Sequence, residues 1–186
     1  MIVSIGCPFV CEVSDATQFN VDLSQIELIP VGMPARFSIT SSAPIQDQSI
    51  RVTINSPNGK QIPVNIEYIE DCVCEFVPLE VGPHIICIEH CGRVVSASPL
   101  VVKAYDSKKV SVTSVSSGSI GKPVQFIVDA SNSGEGNLEI AVNARGDNVV
   151  TQVHPMGGAK FGVSFVPNDN VDHQISITFN GHSVLG

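Results

Sequence analysis

The sequence predicts an all-β protein made of two antiparallel sandwiches in tandem, and three observations carry that prediction. Apolar residues recur with a period of two almost throughout, turn signals separate the alternating stretches, and one series of blocks occurs twice along the chain.

The alternation is clearest in Ile50-Arg51-Val52-Thr53-Ile54, Ile62-Pro63-Val64-Asn65-Ile66, Leu138-Glu139-Ile140-Ala141-Val142 and Ile175-Ser176-Ile177-Thr178-Phe179. Successive side chains of a strand point to opposite faces, so each stretch turns one side to a core and the other to water or a partner. Between them, Ser56-Pro57-Asn58-Gly59, Met156-Gly157-Gly158 and Asn180-Gly181 supply the Pro, Gly and Asn that tight turns require. No long stretch combines 3.6-residue apolar spacing with helix caps. Short strands with a turn about every ten residues read as an antiparallel sandwich.

The repeat sets the domain organisation. Val31-Gly32-Met33-Pro34-Ala35-Arg36-Phe37 returns 89 positions later as Ile120-Gly121-Lys122-Pro123-Val124-Gln125-Phe126. Phe76-Val77-Pro78 returns as Phe165-Val166-Pro167, and His84-Ile85-Ile86-Cys87-Ile88 as His173-Gln174-Ile175-Ser176-Ile177, in the same register. Ile50–Asn55 returns as Leu138–Asn143 at an offset of 88, one residue being lost in a loop. At the N-terminus, Cys7–Asp15 matches Ser98–Asp106 at an offset of 91. Ser98–Asp106 is the last strand of the first full copy. Residues 1–15 therefore read as the last strand of a preceding repeat, 16–104 as a complete repeat, and 105–186 as a repeat without its final strand. The whole reads as a piece of a longer tandem array.

Composition narrows the function. The 186 residues are 43% apolar and 15% charged, enough to build packed cores. Ten Lys and Arg against eighteen Asp and Glu give a formal charge of −8, the wrong sign for a phosphate backbone, so no nucleic-acid partner is expected. No apolar run approaches the roughly 20 residues of a membrane helix. The start at Met1-Ile2-Val3-Ser4-Ile5 lacks the basic flank and apolar length of a secretory signal, so the expectation is a cytoplasmic protein without direct membrane insertion. The cysteines are Cys7, Cys11, Cys72, Cys74, Cys87 and Cys91. They form neither a CxxC nor a zinc-finger spacing, and they read as reduced packing residues. Cys72 and Cys74 would share one strand face. Cys87 and His90 would lie on opposite faces, which argues against a thiol nucleophile, so no enzyme, metal or cofactor is expected.

The repeated blocks resemble the immunoglobulin-like repeats of filamins, actin-crosslinking scaffold proteins. The resemblance rests on Val31-Gly32-Met33-Pro34-Ala35-Arg36-Phe37 and its second copy, Ser56-Pro57-Asn58-Gly59, the Phe-Val-Pro blocks, and the exit strand Ser98-Pro99-Leu100-Val101-Val102. Departures are Cys7 where the exit motif usually has Ser, and Ala144-Arg145-Gly146 where the turn usually reads Gly-Pro-Ser. The resemblance implies two tandem immunoglobulin-like sandwiches with sheets ABED and CFG, the second lacking its own last strand. Phe37, Phe76, Phe126 and Phe165 would be equivalent core rings, each contributing roughly 1.5–3 kcal/mol by burial. Pro34 and Pro123 would open strands, where a missing amide donor is tolerated. The short junction Tyr105-Asp106-Ser107 should make the repeats influence each other's orientation.

The resemblance also implies a binding mode, in which an extended peptide adds to the groove between strands C and D. In the second repeat that would be strand C over Leu138–Asn143 and strand D over Asn148–His154. The docking residues would be Leu138, Glu139, Ile140, Ala141, Val142, Asn143, Asn148 and Val150. Leu138, Ile140 and Val142 would face the core, and Glu139, Ala141 and Asn143 outward. The first repeat presents Ser49, Arg51, Thr53 and Asn55 outward, and Pro63 on its strand D would remove a donor, which ranks the second groove above the first. Implied partners are cytoplasmic tails of membrane receptors or adaptor peptides, with F-actin reached only through other domains of a parent protein.

Two further readings stay open at this stage. Phe9, Cys11 and Val13 alternate on one face of residues 6–14, the pattern of the missing strand. The segment would complete the second sandwich, exchange into a neighbouring molecule, or remain a free tail. Arg145-Gly146-Asp147, in a turn after strand C, would suit an extracellular adhesion fragment, the alternative to the scaffold. Turn chemistry by itself also favours Gly-Asp there.

Overall fold

Residues 19–42, 45, 49–69, 71–115 and 117–184 are described by the computed structural model. The chain forms β1 (Phe19–Asp22), β2 (Leu28–Pro30), β3 (Ala35–Ser41), β4 (Ile50–Asn55), β5 (Gln61–Ile62), β6 (Asn65–Tyr68), β7 (Cys72–Phe76), β8 (Gly82–His90), β9 (Arg93–Val94) and β10 (Leu100–Tyr105). A 3-10 turn at Ser107–Lys109 leads to β11 (Ser111–Val112), β12 (Val124–Asp129), β13 (Leu138–Ala144), β14 (Asp147–Asn148), β15 (Thr151–Gly157), β16 (Lys160–Phe165), β17 (His173–Phe179) and β18 (His182–Ser183).

The strands pair into two sheets per repeat. In the first repeat the orders are β1-β3-β7-β6 and β2-β10-β8-β4-β5, with β9 on β8. In the second they are β11-β12-β16-β15 and β14-β13-β17-β18. These are the ABED and CFG layers the resemblance implies, the second without a counterpart of β10 among the described residues, and the alternation shows why they face each other. Phe37 and Ile39 of β3, Cys72, Cys74 and Phe76 of β7, Ile54 of β4, and Ile86 and Ile88 of β8 are all buried in one core. The rings of Phe37 and Phe76 meet edge-on with centroids 6.4 Å apart, a geometry worth about 0.5–1.5 kcal/mol beyond area burial. Phe126, Val128, Val142, Val163, Phe165 and Phe179 form the second core in the same way.

Four hairpins turn on two residues that both have positive φ: Cys91-Gly92, Arg145-Gly146, Gly158-Ala159 and Asn180-Gly181. Such turns match the right-handed twist of the flanking strands.

Strand D differs from expectation in both repeats. In the first, β5 stays with β4, the chain crosses between sheets at Pro63 and Val64, and only then does β6 join β7. Pro63 therefore removes no donor from the strand ladder. In the second, the stretch 148–154 divides. Asn148 pairs with Asn143 in the CFG layer, Val149 and Val150 make the crossing, and β15 starts at Thr151 and runs through Pro155 to Gly157. A proline is tolerated in β15 because the strand is at the sheet edge and its register shifts between Pro155 and Gly157.

The junction is closely fitted. Tyr105 ends β10 of the first repeat, yet its ring is buried in the second core. The Asp106 amide donates to the Ser133 carbonyl at 2.9 Å, and Lys103 pairs with Glu135. Gly134 has φ +90°, and a Cβ there would lie 2.8 Å from the Ala104 carbonyl oxygen and 2.9 Å from Val81. Only glycine fits this approach.

Cys72, Cys74, Cys87 and Cys91 are free thiols, the first two buried side by side on one face of β7, while Cys7 and Cys11 lie outside the described residues. The Cys74 thiol is pushed up by its hydrogen bond with Cys72 and by burial, so it stays protonated. Among the described residues the second repeat has no counterpart of β10. Beside β17 a slot is lined by Val115, Gly118, Val124, Phe165, Val171 and Ile175. Phe9, Cys11 and Val13, whose alternation has the pattern of the missing strand, lie outside the described residues.

Candidate peptide-docking groove

The alternation of β13 fixes what each residue offers. Val142 is buried, Leu138 and Ile140 are half-buried toward the core, and Glu139 and Ala141 are exposed on the outer face. Backbone direction follows the same alternation. The Val142 carbonyl accepts from the Val149 amide, whereas the Asn137 carbonyl accepts from the Asn180 amide on the β17 side. The even-numbered residues therefore turn their amide and carbonyl groups to the outer edge. β14 covers that edge only at Asn143 and Ala144, so the edge is open at Leu138 and Ile140 among the described residues.

Below this edge the two sheets stand apart. A cavity of about 460 Å³ is lined by Leu138, Ile140, Val153, Phe161 and Phe179, with Gly134 and Gly136 at its upper end. Val153 faces inward, paired with the buried Val163, and is still 43% exposed. Its exposure is that of a core position with nothing over it. On the outer face, Glu139 is fixed by hydrogen bonds from Thr178 Oγ1 and Asn137 Nδ2, each 3.2 Å long, which places a carboxylate beside the open edge.

The same place in the first repeat is shut. Ile50 and Val52, the counterparts of Leu138 and Ile140, are 4% and 8% exposed. Over the edge at Ile50 stands Tyr68, at the end of β6. Its hydroxyl crosses from one sheet to the other and donates to the Ile50 carbonyl, with an O···O distance of 3.4 Å. Ile45 also packs against this core. Cross-strand register identifies the counterpart of Tyr68. Tyr68 pairs with Cys72 and Pro155 with Phe161, and Cys72 and Phe161 are equivalent at the 89-residue offset. Where the first repeat sets a long side chain opposite a small one, the second sets Pro155 opposite Phe161. Proline cannot span the gap, and the gap stays open.

Leu138, Glu139, Ile140, Ala141 and Val142 lie together on β13, the first and third of them along the open edge. Asn143 and Asn148 pair with each other and close the lower end of the edge. Val150 is in the crossing, 85% exposed and away from the cavity wall. Val153, Phe161 and Phe179 are groove residues that the sequence reading missed. The signal for Val153 was available, since the inward half of any strand D must pair with the buried positions of strand E. Arg145 and Gly146 are the central residues of the β13–β14 turn and Asp147 opens β14, all three exposed.

Sandwiches of ABED and CFG layers, joined at one shared tyrosine and carrying an open strand edge, define a tandem immunoglobulin-like repeat protein. A family model described as Filamin/ABP280 repeat matches residues 12–101 and 104–186, and the chain belongs to that family. Filamin-C of Rattus norvegicus is 30% identical over 201 aligned residues, covering 96% of this chain and 7% of that protein. Filamin-A of Drosophila melanogaster is 24% identical over 160, covering 80% of this chain and 7% of that protein. The chain thus spans about 7% of the length of these curated relatives. The adhesin FdeC of Escherichia coli matches at 12% identity with a TM-score of 0.50, covering 94% of this chain and 62% of that one, which shows a shared fold alone.

Proposed function

We propose that this chain is a non-catalytic segment of a filamin-like scaffold that docks an extended segment of a partner protein on the outer edge of β13. Main-chain hydrogen bonds to Leu138 and Ile140 supply affinity, and the apolar cavity below takes alternate side chains of the guest strand. The observation that carries this reading is the contrast between the repeats. The core positions of strand C are closed over in the first and half-open in the second, where Leu138 and Ile140 have no strand on their outer side among the described residues.

The partners in this reading are cytoplasmic tails of membrane receptors or adaptor peptides. The carboxylate of Glu139 favours guests with a basic residue near that position. F-actin would be reached only through other domains of a longer cytoskeletal protein. An added strand buries an interface at the small end of the range, below about 1,200 Å², so affinity is expected near micromolar. The test is a titration of the isotopically labelled chain with a synthetic peptide copied from an adhesion-receptor cytoplasmic tail, read by amide chemical shifts. Shifts concentrated at Leu138–Ala141 and Val153 support the reading, and a peptide that leaves these amides unmoved at millimolar concentration overturns it.

A further inference from the structure

We propose that Cys91, acting with His90 and Arg93, is a modification site that takes up a small acidic disulfide as a mixed disulfide. The site lies in the first repeat and does not depend on the docking reading of β13.

His90, Cys91, Gly92 and Arg93 make the β8–β9 hairpin turn, with His90 and Arg93 paired across it. Alternation along β8 puts Cys87 and His90 on opposite faces, so Cys87 is not the partner of this imidazole. The turn brings the next cysteine round instead. His90 Nε2 meets Cys91 Sγ at 3.6 Å. The Phe19 ring packs on the imidazole with centroids 4.7 Å apart and limits how it can turn. Cys91 is exposed. Arg93, directly across the turn, is exposed too and makes no ion pair among the described residues. Beyond its chain neighbours, nothing lies within 4 Å of where a Gly92 Cβ would stand, which leaves the approach to the thiol open.

The second repeat shows these positions in structural use. Phe179, 89 residues after His90, is buried in the core against Tyr105. Asn180, the counterpart of Cys91, accepts from the Asn137 amide at 2.8 Å and donates to the Glu135 carbonyl at 3.3 Å, which fastens a neighbouring loop. The first repeat keeps neither role. His90 buries an Nδ1 that has no hydrogen-bond partner among the described residues, a cost that a phenyl ring would not carry. Cys91 holds φ 48°, a conformation its side chain disfavours, and its sulfur turns to the imidazole. Both departures have a use if thiol and imidazole act as a pair.

The step is thiol–disulfide exchange. Nε2 takes the Sγ proton and the Cys91 sulfur attacks one sulfur of the small disulfide. A new S–S bond forms as the old one breaks, and the released thiolate takes the proton from His90. Cys91 is thereby oxidised to the mixed disulfide, and half of the reagent is reduced to a free thiol. A second small thiol reverses the step. Arg93 meets a carboxylate of the incoming reagent, which favours an acidic disulfide over a basic one.

The test uses the full chain, with oxidised glutathione as the acidic disulfide and cystamine as the basic one, and adducts are located and timed by mass spectrometry. Glutathione should reach Cys91 about tenfold or more faster than the half-buried Cys87. Adducts that form first on Cys87 overturn the site. His90→Phe, which copies the second repeat, should slow Cys91 about tenfold and leave Cys87 unchanged, whereas a purely structural His90 would move both thiols together or neither. Should His90→Phe not fold, His90→Gln keeps a polar side chain that cannot take the proton, and the same loss is expected. An unchanged Cys91 rate in the folded variant overturns the pair. Arg93→Gln should reduce the preference for glutathione over cystamine about threefold or more, and a preference that survives it overturns the assignment of an acidic reagent.

Discussion

The ring of Tyr105 meets that of Phe179 edge-on, centroids 5.9 Å apart, so the last residue of a strand in the first repeat caps the core of the second. Phe179 in turn lines the cavity below β13. Burial also pushes the Tyr105 phenol up, as expected for a ring committed to an interior.

Truncating that ring separates the stability of the two repeats. Tyr105→Ala removes a large buried side chain and should lower the stability of the second repeat by about 3 kcal/mol, the usual size for deleting a buried aromatic ring. Urea unfolding followed by amide signals resolves the repeats: Val128 and Val163 should lose their folded signals at clearly lower urea than in wild type, and Ile39 and Ile54 at nearly unchanged urea. A loss confined to Ile39 and Ile54 would show that the ring belongs to the first core instead.

The β8–β9 and β17–β18 turns offer a substitution with an internal control. Cys91 and Asn180 occupy equivalent places, with φ of 48° and 49°. Asparagine tolerates this left-handed region, whereas an ordinary side chain there costs about 1–2 kcal/mol. Cys91→Asn should therefore stabilise the first repeat by about 0.5–1 kcal/mol. Thermal melting of the variant under reducing conditions checks this, and an unchanged or lower melting temperature contradicts it.

Asp129 gives the chain an acid-side dependence whose sign is fixed. Hydrogen bonds from the Ser131 hydroxyl and amide, and then from Lys160, hold its carboxyl down at about 2. A carboxyl depressed on folding stabilises the native state fully above its unfolded value near 4, and the contribution fades as pH falls toward 2. The melting temperature of wild type should exceed that of Asp129→Asn by a constant amount above pH 4, and the gap should close between pH 4 and 2. A gap that persists undiminished at pH 2 would assign the difference to something other than the carboxylate charge.

Much of this architecture is legible in the residues. The recurrence of Phe37, Phe76, Phe126 and Phe165 at equivalent positions marks them as core rings, and block offsets of 88 and 89 give two repeats meeting near Tyr105. Strand C of the groove is legible for the same reason. Strand D is not, because the alternating pattern runs on through residues 147–157 while the chain changes sheets at Val149 and Val150, and a crossing of two residues leaves no mark in hydropathy. The Tyr68–Pro155 equivalence is hidden by loop lengths. These residues are 87 apart, whereas the flanking blocks run at 88 and 89, so only the pairing of each with strand E reveals it.

The groove itself can be tested where it least disturbs the fold. Val153 faces the cavity but is 43% exposed, so a charged side chain there can reach water in the free protein. Once a guest strand covers it, a carboxylate at this position loses that water without gaining a partner, since the neighbouring walls are Leu138, Ile140 and Phe161. Val153→Asp should leave the melting temperature within a few degrees of wild type and weaken a receptor-tail peptide about tenfold or more, equivalent to about 1.4 kcal/mol or above. Isothermal titration of the two proteins with one peptide measures this directly. Ile66→Asp, at the matching place in the first repeat, should leave that affinity unchanged and lower the stability of that repeat instead, because Ile66 packs against its core. If Ile66→Asp weakened the peptide as much as Val153→Asp, the guest would be seated on the first repeat, and β13 would lose its place as the docking edge.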